Sequence, residues 1–175
     1  MKIEECPSPN FWHDTTRKVT LLVVHATATS GIESPKNWLC DKVSKSSAHY
    51  LIGTDGRVIR LVKEEDVAWH AGVSEWRGME RLSHTTQKPS VNHCSIGYEL
   101  VNICDGKMPY PEAQVAALAD LVADACKRHG VLMENIVGHE DIAPGRKSDP
   151  GIMFPWQAFE DTLHGLGIGR EEERT

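Results

Sequence analysis

Apolar positions along the chain follow two kinds of pattern, one typical of strands and the other of helices. The run from Val19 to Val24 is apolar and rich in β-branched residues, which is typical of a strand buried on both faces. Residues 48–52 and 57–62 alternate around Asp55-Gly56, and an Asp-Gly pair between two such runs predicts a β-hairpin. Residues 95–101 and 135–137 return to the strand pattern.

Residues 111–129 show the clearest helical pattern. Apolar residues recur there at helical spacing, Pro111 stands at the first turn, and Gly130 follows as a stop signal. Ser34-Pro35 predicts the start of a shorter helix that carries Trp38 and Leu39 inward. Residues 156–163 predict a closing helix.

The remaining segments divide the chain into an arm, a domain and a tail. Residues 1–18 are predicted to be an extended N-terminal arm, residues 19–165 a single domain, and residues 166–175 a charged, flexible tail. Residues 64–94 lack a periodic pattern, which is unusual for a simple connection of this length and favours a binding wall. Neither a repeat nor a low-complexity linker marks a second domain.

Composition narrows the class of protein. At 175 residues, with 40% hydrophobic and 25% charged residues, the chain matches one soluble globular domain. A net charge of −6 argues against nucleic acid as a partner, because phosphate binding favours a basic surface. The chain shows neither a secretory signal nor a transmembrane span, so we expect it to be cytoplasmic as given. A monomer is expected. The five cysteines are odd in number and contain no Cys-x-x-Cys, so free thiols are expected, with neither a disulfide framework nor a zinc knuckle.

The most informative stretch is the loop 136–151, which gathers His139, Lys147 and Asp149 among two prolines and several glycines. A loop this rich in turn residues holds one shape, so its side chains can be aimed at a common point. Taken alone, these charges fit an ordinary solvated loop equally well. His25, which ends the predicted buried strand and precedes small residues, supplies a second imidazole for the same cleft.

His25, His139 and Asp149 together match the needs of a hydrolytic zinc site, which takes three protein ligands and leaves a fourth position open for water. Such a site also needs a general base and a cation for the developing oxyanion, and Glu99 and Lys147 are the candidates. Each has an alternative: Glu99 as an outward-facing residue of a half-exposed strand, Lys147 as a solvated charge, and either histidine as a hydrogen-bonded structural residue.

Several motifs resemble those of the zinc-dependent N-acetylmuramoyl-L-alanine amidases, in matching order from about residue 19 to residue 159. They are Val23-Val24-His25, Ser47-Ala48-His49-Tyr50-Leu51-Ile52, Asp55-Gly56, Ala68-Trp69-His70-Ala71-Gly72, Ser95-Ile96-Gly97-Tyr98-Glu99-Leu100, Gly138-His139 and Pro144-Gly145-Arg146-Lys147-Ser148-Asp149-Pro150-Gly151. The resemblance implies an α/β fold shared with peptidoglycan-recognition proteins and phage lysozyme-like amidases. In that fold a central mixed β-sheet is flanked by helices, and a zinc cleft lies at one side.

The resemblance also implies roles for individual residues. It implies one catalytic Zn²⁺ held by His25, His139 and Asp149, with Glu99 as the base and Lys147 as the oxyanion stabiliser. Other branches of the family have a cysteine at the Asp149 position and a tyrosine at the Ala48 position, so the chain is grouped with the glutamate-using bacterial and phage enzymes. The substrate-binding candidates are weaker and comprise Trp69, His70, Arg77 and Tyr50. Trp69 fits a core position equally well, Arg77 fits a plain surface residue, and the role of Tyr50 is open.

The implied activity is hydrolysis of the amide between the lactyl group of N-acetylmuramic acid and L-alanine. A non-catalytic peptidoglycan-recognition module is the alternative, disfavoured because all three ligands, the base and the lysine are present. A structural zinc protein is disfavoured because it would be expected to offer four protein ligands. The sequence leaves two substrates open, the intact sacculus, as for a phage lysin or a signal-stripped envelope enzyme, and soluble anhydro-muropeptides.

Overall fold

The computed structural model describes residues 2–83 and 86–169 and is built on a six-stranded sheet. Its strands are β1 (Ile3–Glu5), β3 (Leu21–Ala26), β4 (Tyr50–Ile52), β5 (Val58–Arg60), β9 (Ser95–Leu100) and β10 (Ile136–Gly138). Four short strands pair in two smaller sheets, β2 (Phe11–His13) with β6 (Asp66–Ala68) and β7 (Arg81–Leu82) with β8 (Pro89–Ser90). The helices are α1 (Glu33–Leu39), α2 (Glu112–His129), α3 (His139–Ile142) and α4 (Trp156–Gly165).

The central sheet has the strand order β1-β5-β4-β9-β3-β10. The pair β4 and β5 is antiparallel, as expected of the predicted hairpin, whereas the other neighbouring strands run parallel. The sheet is therefore mixed and carries helices, which confirms the expected α/β fold.

The two faces of the sheet are buried by different partners. On one face, Leu22, Val24, Ile96 and Tyr98 pack with α2 and α4 in the largest apolar cluster. On the other face, Leu21 and Val23 pack with Ile142 of α3, while Leu51 and Ile59 pack with Leu39 of α1. Because side chains alternate along a strand, His25 continues the series of Leu21 and Val23 and faces the second side.

Three details differ from the pattern-based expectations. The strand predicted at residues 19–24 is displaced to Leu21–Ala26, so His25 lies within β3 and does not end it. Trp38 does not point inward: it is 57% exposed, whereas Leu39 beside it is buried as expected. The segment 64–94 is not wholly irregular, because it contains β6, β7 and β8.

Parts of the expected arm and tail belong to the fold. β1 pairs with β5 at the edge of the central sheet, and β2 pairs with β6. Ile168 is buried in the main core although it lies within the expected tail, and residues 170–175 of that tail fall outside the described residues. In the part of the chain that the structure describes, no helix combines the length and the apolar character needed to cross a membrane.

Candidate functional site

The candidate residues meet at the carboxyl ends of three parallel strands. His25 lies near the end of β3 and is paired in register with Glu99 of β9. His139 directly follows Gly138, the last residue of β10, which is itself registered beside Val24. In open α/β sheets, this edge is where ligands bind.

Three donor atoms converge there in a triangle. Nδ1 of His25 lies 2.9 Å from Nδ1 of His139 and 3.4 Å from Oδ2 of Asp149, and Nδ1 of His139 lies 3.1 Å from the same oxygen. Ligands of a tetrahedral Zn²⁺ at about 2.05 Å would be separated by about 3.3 Å. The triangle therefore fits one face of a tetrahedral metal site. It is formed by the three residues proposed from the sequence as ligands.

The second nitrogen of each imidazole is also engaged, which fixes the orientation of both rings. Nε2 of His139 lies 3.1 Å from the carbonyl oxygen of Ala71, so it would carry the proton when the Nδ1 lone pair binds a metal. Nε2 of His25 lies 2.9 Å from Nδ1 of His70, whose Nε2 lies 3.1 Å from the Ser95 hydroxyl. Outer-shell contacts of this kind hold metal-binding histidines in the correct tautomer.

The protonation states of His25 and Asp149 favour the binding of a cation. Burial, together with the adjacent His139, lowers the pKa of His25 to about 4, so its imidazole is neutral at pH 7. Burial acts to raise the pKa of Asp149, but hydrogen bonds from both histidines outweigh it and hold that pKa well below its usual range. The site thus presents a neutral His25 and a carboxylate, the protonation states that a metal requires of its ligands.

Glu99 and Lys147 face the same cleft, a cavity of about 420 Å³ that is also lined by Asp149 and His139. Burial and the nearby Asp149 carboxylate raise the pKa of Glu99 to about 8, against the opposing effect of Lys147. A carboxyl with a pKa near the operating pH is suited to accept and return a proton. A larger hollow of about 710 Å³, lined by His13, Arg17 and Glu64, contains none of the candidate residues.

Two tryptophans line the cleft beyond the donors. Trp69 is half-buried and packs at 5.3 Å between ring centroids against Trp12, and Trp38 of α1 stands exposed on the cleft wall. Small and hydroxyl-bearing residues fill the wall around them, namely Thr27, Ala28, Thr29, Ser34, Ser46 and Ser47. Aromatic faces with hydroxyl groups nearby are suited to a ligand that has both apolar and polar surfaces.

Most of the chain matches one known protein family. Residues 15–152 match the family model described as N-acetylmuramoyl-L-alanine amidase. The chain belongs to the N-acetylmuramoyl-L-alanine amidase family. The resemblance seen in the sequence motifs is thereby confirmed.

Individual amidases of this family are similar over most of the chain. It is 37% identical over 171 residues to the N-acetylmuramoyl-L-alanine amidase AmiD of Escherichia coli, covering 90% of this chain and 57% of AmiD. It is 40% identical over 117 residues to the 1,6-anhydro-N-acetylmuramyl-L-alanine amidase AmpD of Enterobacter cloacae, covering 67% of this chain and 57% of AmpD. Both alignments thus span just over half of the relative's length.

A solved amidase structure supports the same assignment. The chain superposes with a TM-score of 0.72 and 35% identity on E. coli AmiD in complex with the substrate anhydro-N-acetylmuramic acid-L-Ala-D-gamma-Glu-L-Lys. The match covers 91% of this chain and 66% of that one.

Not every substrate-binding candidate lies in the cleft. Tyr50 is registered beside Tyr98, stacks on it at 5.6 Å between centroids and donates to Glu64, so it lies on the opposite face of the sheet from Glu99. Arg77 covers the ring of Trp76 and is not among the cleft-lining residues. His70 reaches the cleft, but it is buried and its ring contacts His25 from behind.

Two residues that support the site were not singled out from the sequence. The guanidinium of Arg146 donates to the carbonyl oxygens of Ala71 and Val73, which ties the loop 136–151 to the segment behind His139. Gly97 leaves room for the His70 ring, because a Cβ there would lie 2.4 Å from Cγ of His70. Both residues belong to the motifs quoted above, but a sequence motif does not show which distant residues its members contact.

Proposed function

We propose that the chain hydrolyses the amide between the lactyl group of N-acetylmuramic acid and L-alanine, using one zinc ion held by His25, His139 and Asp149. The observation that carries the proposal is the triangle of donor atoms, 2.9 to 3.4 Å apart, at the base of a cleft that also holds Glu99 and Lys147. Bound there, Zn²⁺ would polarise the scissile carbonyl and lower the pKa of water to about 7.

The side chains of the chain divide the remaining work. Glu99 takes the proton of the attacking water and afterwards returns it to the leaving amine of L-alanine, which restores the carboxylate. The Lys147 ammonium stabilises the negative charge that develops on the carbonyl oxygen in the tetrahedral transition state. A backbone N–H of Ala26 donates to Oδ2 of Asp149 at 3.4 Å, which helps to orient this proposed ligand.

The cleft and the relatives both support a proposal for the substrate class. Trp38 and Trp69 offer apolar faces for a sugar ring or for peptide methylene groups, and the hydroxyls around them offer hydrogen bonds. AmpD is named for a 1,6-anhydro-N-acetylmuramyl substrate, and AmiD was solved with an anhydro-muropeptide. We therefore propose soluble muropeptides as the preferred substrate, with the intact sacculus as the competing one.

The test combines metal content with product analysis. The purified chain, loaded with zinc, is incubated separately with anhydro-muropeptide and with sacculi, and the products are identified by mass spectrometry. We expect release of a free peptide beginning with L-alanine, and its loss in His25→Ala together with loss of zinc. Substrate binding without product in the zinc-loaded chain would favour the non-catalytic recognition module.

A further inference from the structure

Cys6 and Cys40 are 34 positions apart in sequence, yet their sulfur atoms lie 3.2 Å from each other. Cys6 directly follows β1, and Cys40 is the residue that caps α1 at its carboxyl end. Both side chains are half-buried, so a small reagent can reach them, whereas Cys94 and Cys126 are buried.

Both cysteines are held in place by neighbouring backbone. The amide of Cys6 donates to the carbonyl oxygen of Arg60 at 3.0 Å, which extends the pairing of β1 with β5. Past Cys40, the amide of the Asn10 side chain donates to the carbonyl oxygen of Asp41 at 2.8 Å. These contacts clamp the N-terminal arm against the end of α1. The two sulfurs are thus held together by the fold and need to move only about 1 Å closer to reach bonding distance.

We propose that Cys6 and Cys40 form a disulfide site, oxidised by exchange with a small-molecule or protein disulfide. One thiolate attacks the external disulfide and gives a mixed disulfide, with release of one external thiol. The second thiolate then displaces the other external thiol and forms the Cys6–Cys40 bond. The two protons given up by the cysteines end on the two released thiols, and the external disulfide is the group that is reduced.

The bond would tie the arm to a wall of the cleft. Cys40 directly follows Trp38 and Leu39, both of which line that cleft. The bond closes a loop spanning 34 positions. Cross-linking a loop of this length restricts the unfolded chain, so the oxidised protein should melt higher, on the order of 5–10 °C. Burial and the adjacent Cys6 thiol raise the pKa of Cys40 to about 12, so exchange should be faster in mildly alkaline buffer.

The experiment uses the purified full chain, reduced and then treated with oxidised glutathione at alkaline pH. Remaining thiols are alkylated under denaturing conditions, and the intact mass and the cysteine peptides are measured. We expect three of the five cysteines to be alkylated, a Cys6–Cys40 linked peptide, and the higher melting temperature. Reductant should reverse all three results.

Cys6→Ser and Cys40→Ser should each lose both the linked peptide and the rise in melting temperature upon oxidation. Cys104→Ser is the matched control, because it removes a half-buried thiol outside the pair and should keep both. Stable glutathione adducts at Cys6 or Cys40 without an internal bond, five alkylatable thiols after oxidation, or a different linked pair would each overturn the proposal.

Discussion

His25 and Glu99 are registered opposite each other on the parallel strands β3 and β9. Side chains at registered positions of parallel strands point to the same face, so the proposed ligand and the proposed base share one face of the sheet. On that face, Glu99 lines the same cleft as His139 and Asp149. In the proposed mechanism, the register of β3 and β9 thus brings the side chain that takes the proton to the same face as a side chain that binds zinc.

Glu99→Gln is expected to keep zinc and lose most turnover, because the amide fills the same space but cannot take the proton of water. We expect a loss of about 10²–10⁴-fold in kcat. Zinc content by elemental analysis and kcat on anhydro-muropeptide measure the two effects separately. Full activity in this variant would show that another group is the base.

Lys147→Met is expected to lower kcat with little change in KM, because the ammonium acts on charge that develops only in the transition state. The expected loss is about 2–4 kcal/mol of transition-state stabilisation. Lys127→Met is the control, because that exposed lysine lies on α2, which packs on the opposite face of the sheet. Weakened zinc affinity with normal kcat at saturating zinc would instead make Lys147 a partner of Asp149.

Gly97→Ala is expected to weaken zinc binding although residue 97 is not a ligand. The added Cβ would lie 2.4 Å from Cγ of His70, so the ring must leave the position in which it contacts His25. Loss of such outer-shell support costs about 10–100-fold in metal affinity. Zinc titration against a competing chelator measures the change, and Gly31→Ala, where nothing lies within 4 Å of the new Cβ, is the control. Equal affinities in both variants would contradict a role for His70 in orienting His25.

Trp38→Ala is expected to raise KM for muropeptide by several-fold with little effect on zinc content, because Trp38 lines the cleft and is 57% exposed. Steady-state kinetics and elemental analysis check the two parts. Val43→Ala is the matched control, since Val43 is 78% exposed and does not line the cleft. An unchanged KM in Trp38→Ala would remove Trp38 from the substrate wall.

Glu64→Gln is expected to destabilise the fold in a pH-dependent way. Burial acts to raise the pKa of Glu64, but hydrogen bonds from Arg128, His129 and Tyr50 outweigh it and lower the pKa to about 2. Because the folded-state pKa lies below the ordinary value, the stabilisation is present above about pH 4.5 and is lost as the pH falls toward 2.

We expect wild type to exceed Glu64→Gln by about 2 kcal/mol in unfolding free energy at pH 7, and the gap to close below pH 4.5. Urea denaturation at a series of pH values measures it. Glu65→Gln is the control, because the Glu65 side chain is 74% exposed. A gap that stays constant from pH 7 to pH 3 would contradict the ionic origin.

The sequence by itself determined the main elements and pointed to the proposed ligand set. The β-branched run ending near His25, the Asp-Gly hairpin and the helix closed by Gly130 depend on local propensity and periodicity, which act within a few residues. The motifs that hold His139, Lys147 and Asp149 are also local, so the loop 136–151 could be recognised as a candidate ligand loop before any contact was known.

Only the tertiary structure decided what lies behind and around the site. Whether Tyr50 faces the cleft depends on the strand register that places it beside Tyr98, and whether Trp38 is buried depends on how α1 meets the sheet. The approach of Cys6 to Cys40 and of His70 to Gly97 joins residues more than 25 positions apart. Such contacts are set by the packing of whole elements, because periodicity specifies which face of a strand or helix is buried but not which distant residue covers it.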